Sequence, residues 1–264
     1  MNAQFQQDDG AVRLEAPMLA PPLRSEPFDV LPEQLDAQNI VGFRNTDTRA
    51  RPFKLLRSQV LKRCGEEGLK LIGVTSAAPH VGKTFVAANL AAALSRIGEL
   101  DVYLVDLDLH RPAVAERFSI DEGQGIHDFL SGEVPNAQAI ARRINDERLV
   151  VLPGFRRDVA TGELLTGANG DRLFAGLRAL PANAIVLIDM PPIFADDDAV
   201  IIGQRIDAFL MVVEDGRTTA KQVLDTRRIL SPTPMLGTVL NRYRSQLFTD
   251  EYGYGLSYGY GGYY

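Results

Sequence analysis

The strongest constraint in this chain is the way short, wholly apolar runs alternate with helix-patterned ones. LKLIGVTS (69–76), DVYLVDLDL (101–109), RLVVLPG (148–154), AIVLIDM (184–190), AFLMVVED (208–215) and MLGTVLN (235–241) read as strands. Most carry apolar residues at odd and even positions alike, so both faces need covering, which implies parallel pairing with helices above and below. The intervening KTFVAANLAAALSRIG (83–98), DRLFAGLRAL (171–180), DDAVIIGQRI (197–206) and TTAKQVLDTRRIL (218–230) read as helices. Upstream, RPFKLLRSQVLKRCGEEG sets Phe53, Leu56, Val60 and Leu61 on one helical face, with Gly68 as a stop. Strands alternating with helices predict an α/β doubly wound, mainly parallel sheet.

The ends of the chain do not share this pattern. Residues 1–50 carry Pro17, Pro21, Pro22, Pro27 and Pro32 with little periodicity. They read as a disordered arm holding one short docking segment around Val30–Val41. A core domain is expected over 51–248 and a flexible tail over 249–264. That tail ends in EYGYGLSYGYGGYY, which holds six of the eight tyrosines, separated by five glycines. It either stacks as a sticky low-complexity segment or presents hydroxyls to an enzyme.

Composition removes several functions. A net charge of −6 and a pI near 5.2 argue against nucleic acid as a partner. The single cysteine, Cys64, excludes an internal disulfide framework and suits a reducing compartment. No leader pattern is visible, and no apolar run reaches the roughly 18 residues a membrane span needs. The expectation is a cytoplasmic protein brought to a membrane only by a partner. His80, His110 and His127 have no metal-ligand spacing.

Three motifs carry chemistry. TSAAPHVGKT follows the first long strand and opens a helix, so Pro79, His80, Val81, Gly82, Lys83, Thr84 and Phe85 form a candidate P-loop. Backbone N–H groups there face a bound anion, Lys83 neutralises β- and γ-phosphate oxygens, and the Thr84 hydroxyl ligates Mg²⁺. Ala77 stands where the pattern has its first glycine. YLVDLDLHRP ends a strand with Asp106 and Asp108, whose equal parity puts both on one side. At the carboxyl end of a parallel strand that side faces the ligand crevice. One carboxylate suits Mg²⁺, the other an attacking hydroxyl. IVLIDMPP ends a third strand in Asp189, a further Mg²⁺ candidate. The acids of DDD (196–198) suit a helix N-terminus. Asn241, at the end of the last strand, suits an adenine edge or a turn.

With APHVGKT, LVDLDLHRP, IVLIDMPPI, VLN and the terminal tyrosines in this order, residues 50–264 resemble the bacterial tyrosine autokinases of capsule and exopolysaccharide synthesis, in their stand-alone cytoplasmic form. The resemblance implies a P-loop NTPase-like fold and an ATP- and Mg²⁺-dependent protein-tyrosine kinase. Lys83 and Thr84 would bind phosphates and metal, and Asp106 would assist the metal and the incoming hydroxyl. Asp108 and Asp189 would support the metal site. Tyr252, Tyr254, Tyr258, Tyr260, Tyr263 and Tyr264 would be acceptors, phosphorylated in trans within a homo-oligomer. Partners would be a membrane-embedded chain-length regulator (co-polymerase) as activator and a cognate tyrosine phosphatase. Phosphates on the tail, each adding close to −2 charge, would be repelled by an acidic active-site rim and release it.

Two positions depart from the family pattern. His110 stands where the family has the arginine of D-x-D-x-R, with Arg111 next. In the first helix Arg51, Lys54 and Arg57 align with E-x-x-R-x-x-R, so the acid is missing. The alternative is a switch ATPase of the MinD/ParA type, whose signature lysine position is Ala78 here.

Overall fold

The computed structural model describes residues 19, 21–157 and 160–243. The strands are β1 (Pro27–Phe28), β2 (Leu71–Ser76), β3 (Asp101–Asp106), β4 (Arg142–Ile144), β5 (Leu149–Leu152), β6 (Ala184–Asp189), β7 (Ala208–Glu214) and β8 (Met235–Asn241). The helices are α1 (Pro32–Ala37), α2 (Arg51–Glu67), α3 (Lys83–Ser95), α4 (Val114–Arg117), α5 (Ile126–Leu130), α6 (Thr161–Thr166), α7 (Ala168–Arg178), α8 (Asp198–Gly203) and α9 (Ala220–Ile229).

The strands form one sheet in the order β1-β4-β5-β3-β6-β2-β7-β8. Every pairing is parallel except β4 with β5. The wholly apolar strands are the central ones, and each residue of β2, β3, β5 and β6 is buried. Side chains alternate between two cores. Tyr103, Val105, Val186 and Ile188 meet Phe129, Leu173 and Ile202 of α5, α7 and α8 on one face. Val102, Leu104, Ile185 and Leu187 meet α3 on the other. Each such side chain withdrawn from water contributes about 1.5–3 kcal/mol.

The α3 helix is covered almost all round: of Lys83–Ser95 every residue but Phe85 is buried. Its run of alanines lets the helix lie close to the sheet while α2 packs over its outer side. Gly68 ends α2 in a left-handed conformation (φ 66°), the stop expected of it. The burial of Cys64 on α2 pushes its thiol up to about 11, so it is an inert apolar residue.

The disordered arm expected up to residue 50 needs correction. From Pro21 onward the chain is ordered and packed on the domain. β1 pairs with β4, and Val30, Leu35, Ile40 and Val41 are buried. The tie is Asn89 of α3, whose Oδ1 accepts from the N–H groups of Val41 (2.8 Å) and Gly42 (3.1 Å). Its amide donates to Asn39 O at 3.1 Å. Gly42 is required there, because a Cβ would lie 2.2 Å from the Asn89 carbonyl. The folded unit thus starts ahead of Arg51.

Candidate active site

The carboxyl ends of β3, β6 and β2 lie side by side, and each delivers a functional segment. Asp106 of β3 is in register with Asp189 of β6, and Val74 of β2 with the same aspartate. Beyond β2 the P-loop turns into α3. Gly82 caps that helix at φ 97°, a left-handed value open to glycine, and a Cβ on it would lie 2.2 Å from Asn241 Nδ2. Asn241, arriving on β8, donates that amide to Val81 O at 2.8 Å and braces the loop. The first N–H groups of α3 have no partner within the helix, which is the arrangement that binds anions.

Pro79, His80, Gly82, Lys83, Thr84 and Phe85 line a cavity of about 460 Å³. Val81 does not: it is buried in the α3-side core. The cavity is bounded by Asp108, which is nearly buried, whereas Asp106 and Asp189 are fully buried behind Lys83 and Thr84. Lys83 Nζ sits 2.5 Å from Asp108 Oδ2 and 3.9 Å from Asp189 Oδ1. Thr84 Oγ1 donates to Asp189 Oδ2 at 2.6 Å. Asp106 Oδ2 accepts from the N–H groups of Ala113 (3.0 Å) and Val114 (2.9 Å).

The two aspartates of the D-x-D motif therefore differ from the same-strand expectation. β3 ends at Asp106, and Asp108 reaches Lys83 from the loop beyond it. Burial pushes the Asp106 carboxyl well above the usual range, and the Asp189 charge adds to the rise. Burial likewise raises Asp189, opposed by the Lys83 ammonium. Burial and mutual repulsion thus disfavour charge on this pair, and a bound cation would favour it.

These residues fit a hard divalent cation. The donors are all oxygen, and the Asp189 Oδ1 atom is buried without a hydrogen-bond partner. Among the described residues no three acids, histidines or cysteines form a complete metal cage. A cation here would need phosphate oxygens to finish its shell, as Mg²⁺ commonly does.

Sequence reasoning missed the arginines. Arg111, Arg117, Arg156 and Arg242 line the same cavity from four separate segments. Arg111 Nη1 donates to His80 Nε2 at 3.3 Å, over the P-loop. The acidic rim expected from the sequence is instead largely basic, with the carboxylates inside. No local pattern marks these residues, because their meeting depends on strand order. His110 also lines the cavity, and its Nε2 lies 2.9 Å from Thr161 Oγ1 and 3.1 Å from Asp196 Oδ2. Arg111, one residue on, occupies the cavity wall beside the P-loop. The acids of DDD stand at the start of α8 as expected, with Asp198 its first residue. The six tail tyrosines lie outside the described residues.

A family model for the CobQ/CobB/MinD/ParA nucleotide binding domain matches residues 72–252. The chain belongs to this family. Within the CobQ/CobB/MinD/ParA family its curated relatives carry kinase names. "Putative tyrosine-protein kinase EpsB" of Ralstonia nicotianae is 32% identical over 222 residues, covering 81% of this chain and 28% of that protein. "Tyrosine-protein kinase YwqD" of Bacillus subtilis is 29% identical over 204 residues, covering 76% of this chain and 84% of that one. The chain thus spans little more than a quarter of the first relative and most of the second. The kinase domain of Escherichia coli tyrosine kinase ETK superposes with a TM-score of 0.67 at 25% identity, covering 84% of each chain. The fold is the P-loop NTPase-like one the motifs imply, and the family is one of nucleotide-binding domains.

Proposed function

We propose that the chain is an ATP-dependent protein-tyrosine kinase that phosphorylates its own C-terminal tyrosines in trans. The observation that carries this reading is the conjunction of a P-loop and three carboxylates with a tail holding six tyrosines in its last fourteen residues. The names of the relatives support it.

In this reading the α3 N-terminus, Lys83 and Thr84 hold the nucleotide phosphates. Bound Mg²⁺ would draw charge from the β- and γ-phosphate oxygens, held by Thr84, Asp106 and Asp189. Asp108, the one of the three motif carboxylates that lines the cavity, exchanges its Lys83 partner for the incoming tyrosine and takes its proton. The tyrosine oxygen bonds to the γ-phosphorus as the bond to the β-phosphate oxygen breaks, and ADP leaves. Positioning and charge supply most of the rate in such transfers. The tail suits its part because five of its six tyrosines have a glycine neighbour, so several registers can present a hydroxyl. The process served would be polymerisation and export of a capsular or extracellular polysaccharide. The chain would work as a homo-oligomer in the cytoplasm, recruited to the inner membrane face by a co-polymerase and reset by a phosphatase. Among the described residues no helix is long and apolar enough to cross a membrane.

A MinD/ParA-like switch ATPase is the second reading, favoured by the family itself. Against it stands Ala78 at the position of the signature lysine. Incubation with Mg²⁺-ATP, with and without an activator tail, followed by mass spectrometry of residues 251–264 separates the two. Phosphotyrosine that vanishes in Lys83→Met supports the kinase. ATP hydrolysis with an unmodified tail, activator present, leaves the switch.

A further inference from the structure

The arginines around the cavity fall on two sides of the P-loop. In the sheet β2 has β6 and then β3 and β5 on one side, and β7 and β8 on the other. Arg242 follows β8 and is paired with Glu214 at 3.2 Å. Arg111 follows β3 and Arg156 follows β5, both exposed and both on the side that carries Asp106 and Asp108. At about 4.8 Å per strand, the β5 end lies roughly 14 Å across the sheet from the P-loop strand. That is beyond the anion-binding turn of α3 and beside the carboxylates that would receive a hydroxyl. Among the described residues neither Arg111 nor Arg156 has a carboxylate partner for its side chain: the Arg111 guanidinium meets only the His80 ring, and no ion pair holds Arg156.

What anion would such a pair meet on the acceptor side? The unmodified tail gives it little, since residues 249–264 carry only Asp250 and Glu251 as acids. Once phosphorylated, the same tail carries dianions that guanidinium forks bind well. The spacing suits this. Tyr252 and Tyr254, like Tyr258 and Tyr260, are two residues apart. In an extended chain such residues lie about 7 Å apart with side chains on the same side.

We propose that Arg111 and Arg156 form a subsite for the phosphate of a phosphotyrosine in a second copy's tail, so that a tail modified once becomes the better acceptor for the next transfer. This rests on the kinase reading above and adds an order to it: the mouth retains a phosphorylated tail and draws its neighbouring tyrosine to Asp108.

Binding tests this without any transfer. Fluorescence anisotropy on the full chain, saturated with Mg²⁺-ADP, would compare a peptide of residues 249–264 with the same peptide phosphorylated at Tyr260. The phosphopeptide should bind about tenfold more tightly, the worth of a charge-assisted contact. The gain should disappear in Arg111→Gln/Arg156→Gln and survive in part in Arg156→Lys. Circular dichroism checks that the variants are folded. Equal affinity for the two peptides overturns the proposal, as does a gain that persists in the double variant. A gain seen only without Mg²⁺-ADP also overturns it, because the phosphate would then be sitting in the P-loop. Competition by inorganic phosphate as strong as by the phosphopeptide would show a general phosphate site and overturn the peptide assignment. Because no phosphoryl transfer is read, a failed kinase reading would appear separately, as a tail left unmodified by Mg²⁺-ATP.

Discussion

Asp106 illustrates at the residue scale how a site is held ready at the expense of stability. Its carboxyl is fully buried and its pKa is raised by burial. Above the ordinary aspartate range the unfolded chain releases this proton while the folded one keeps it, so stability falls as pH rises through the window up to the folded pKa. Asp106→Asn should remove this dependence. Its ligand-free melting temperature at pH 7.5 should equal or exceed that of the wild type, and the gap should close towards pH 4. Tail phosphorylation by the same variant should fall at least about 100-fold, measured as initial rates. Gly82 makes a second case. An alanine there would meet both a left-handed backbone and the Asn241 amide. Gly82→Ala should abolish nucleotide binding by calorimetry. Asn241→Ala, which loses one hydrogen bond worth about 1 kcal/mol, should weaken it only several-fold. The double variant should not recover, because the backbone strain remains after the amide is gone.

At the scale of elements, α3 does two things at once. Its first turn faces the phosphates and its middle holds the N-terminal segment through Asn89. Asn89→Ala would strand the N–H groups of Val41 and Gly42 in a buried setting. A loss of about 3 kcal/mol follows from two unsatisfied donors, or roughly 10 °C in melting temperature for a domain of this size. Calorimetric melting checks it. Of this segment the sequence showed only a short docking stretch around Val30–Val41, without its strand and helix. Val30, Leu35, Ile40 and Val41 are buried but spaced among prolines in elements of two to six residues, too short for any period to show. The strands β2, β3, β5 and β6 were legible for the opposite reason: full burial requires apolar residues at every position.

For the whole molecule, the kinase reading makes modification a meeting of two chains. Mixing Lys83→Met, with its tail intact, and a catalytically intact chain lacking residues 249–264 should place phosphotyrosine on the Lys83→Met chain. The rate should rise with total concentration. A tail that stays bare in this mixture would exclude transfer in trans. The helix aligned with the family's assembly motif is also engaged within the molecule. Arg57 Nη1 donates to Ala93 O at 3.0 Å, and Lys54 donates to Asn45 O. Arg57→Ala should therefore lower the melting temperature as well as any oligomer seen by sedimentation, whereas exposed Arg51 makes no such hydrogen bond among the described residues and its replacement should change assembly alone.

The fold class, the central strands and the candidates Lys83, Thr84, Asp106, Asp108 and Asp189 were legible in the chain alone. Each of these is local: a buried strand must be apolar throughout, and a loop that wraps a phosphate must pair glycine with lysine at a helix start. Only the tertiary structure decided the rest. It set Asp108 rather than Asp106 at the cavity and turned the Asn241 amide onto Val81 O. It folded residues 21–50 onto the domain, and it gathered Arg111, Arg117, Arg156 and Arg242 around one mouth. These arrangements join residues far apart in the chain, and their contacts follow from the strand order β5-β3-β6-β2-β7-β8, which no short run of sequence specifies.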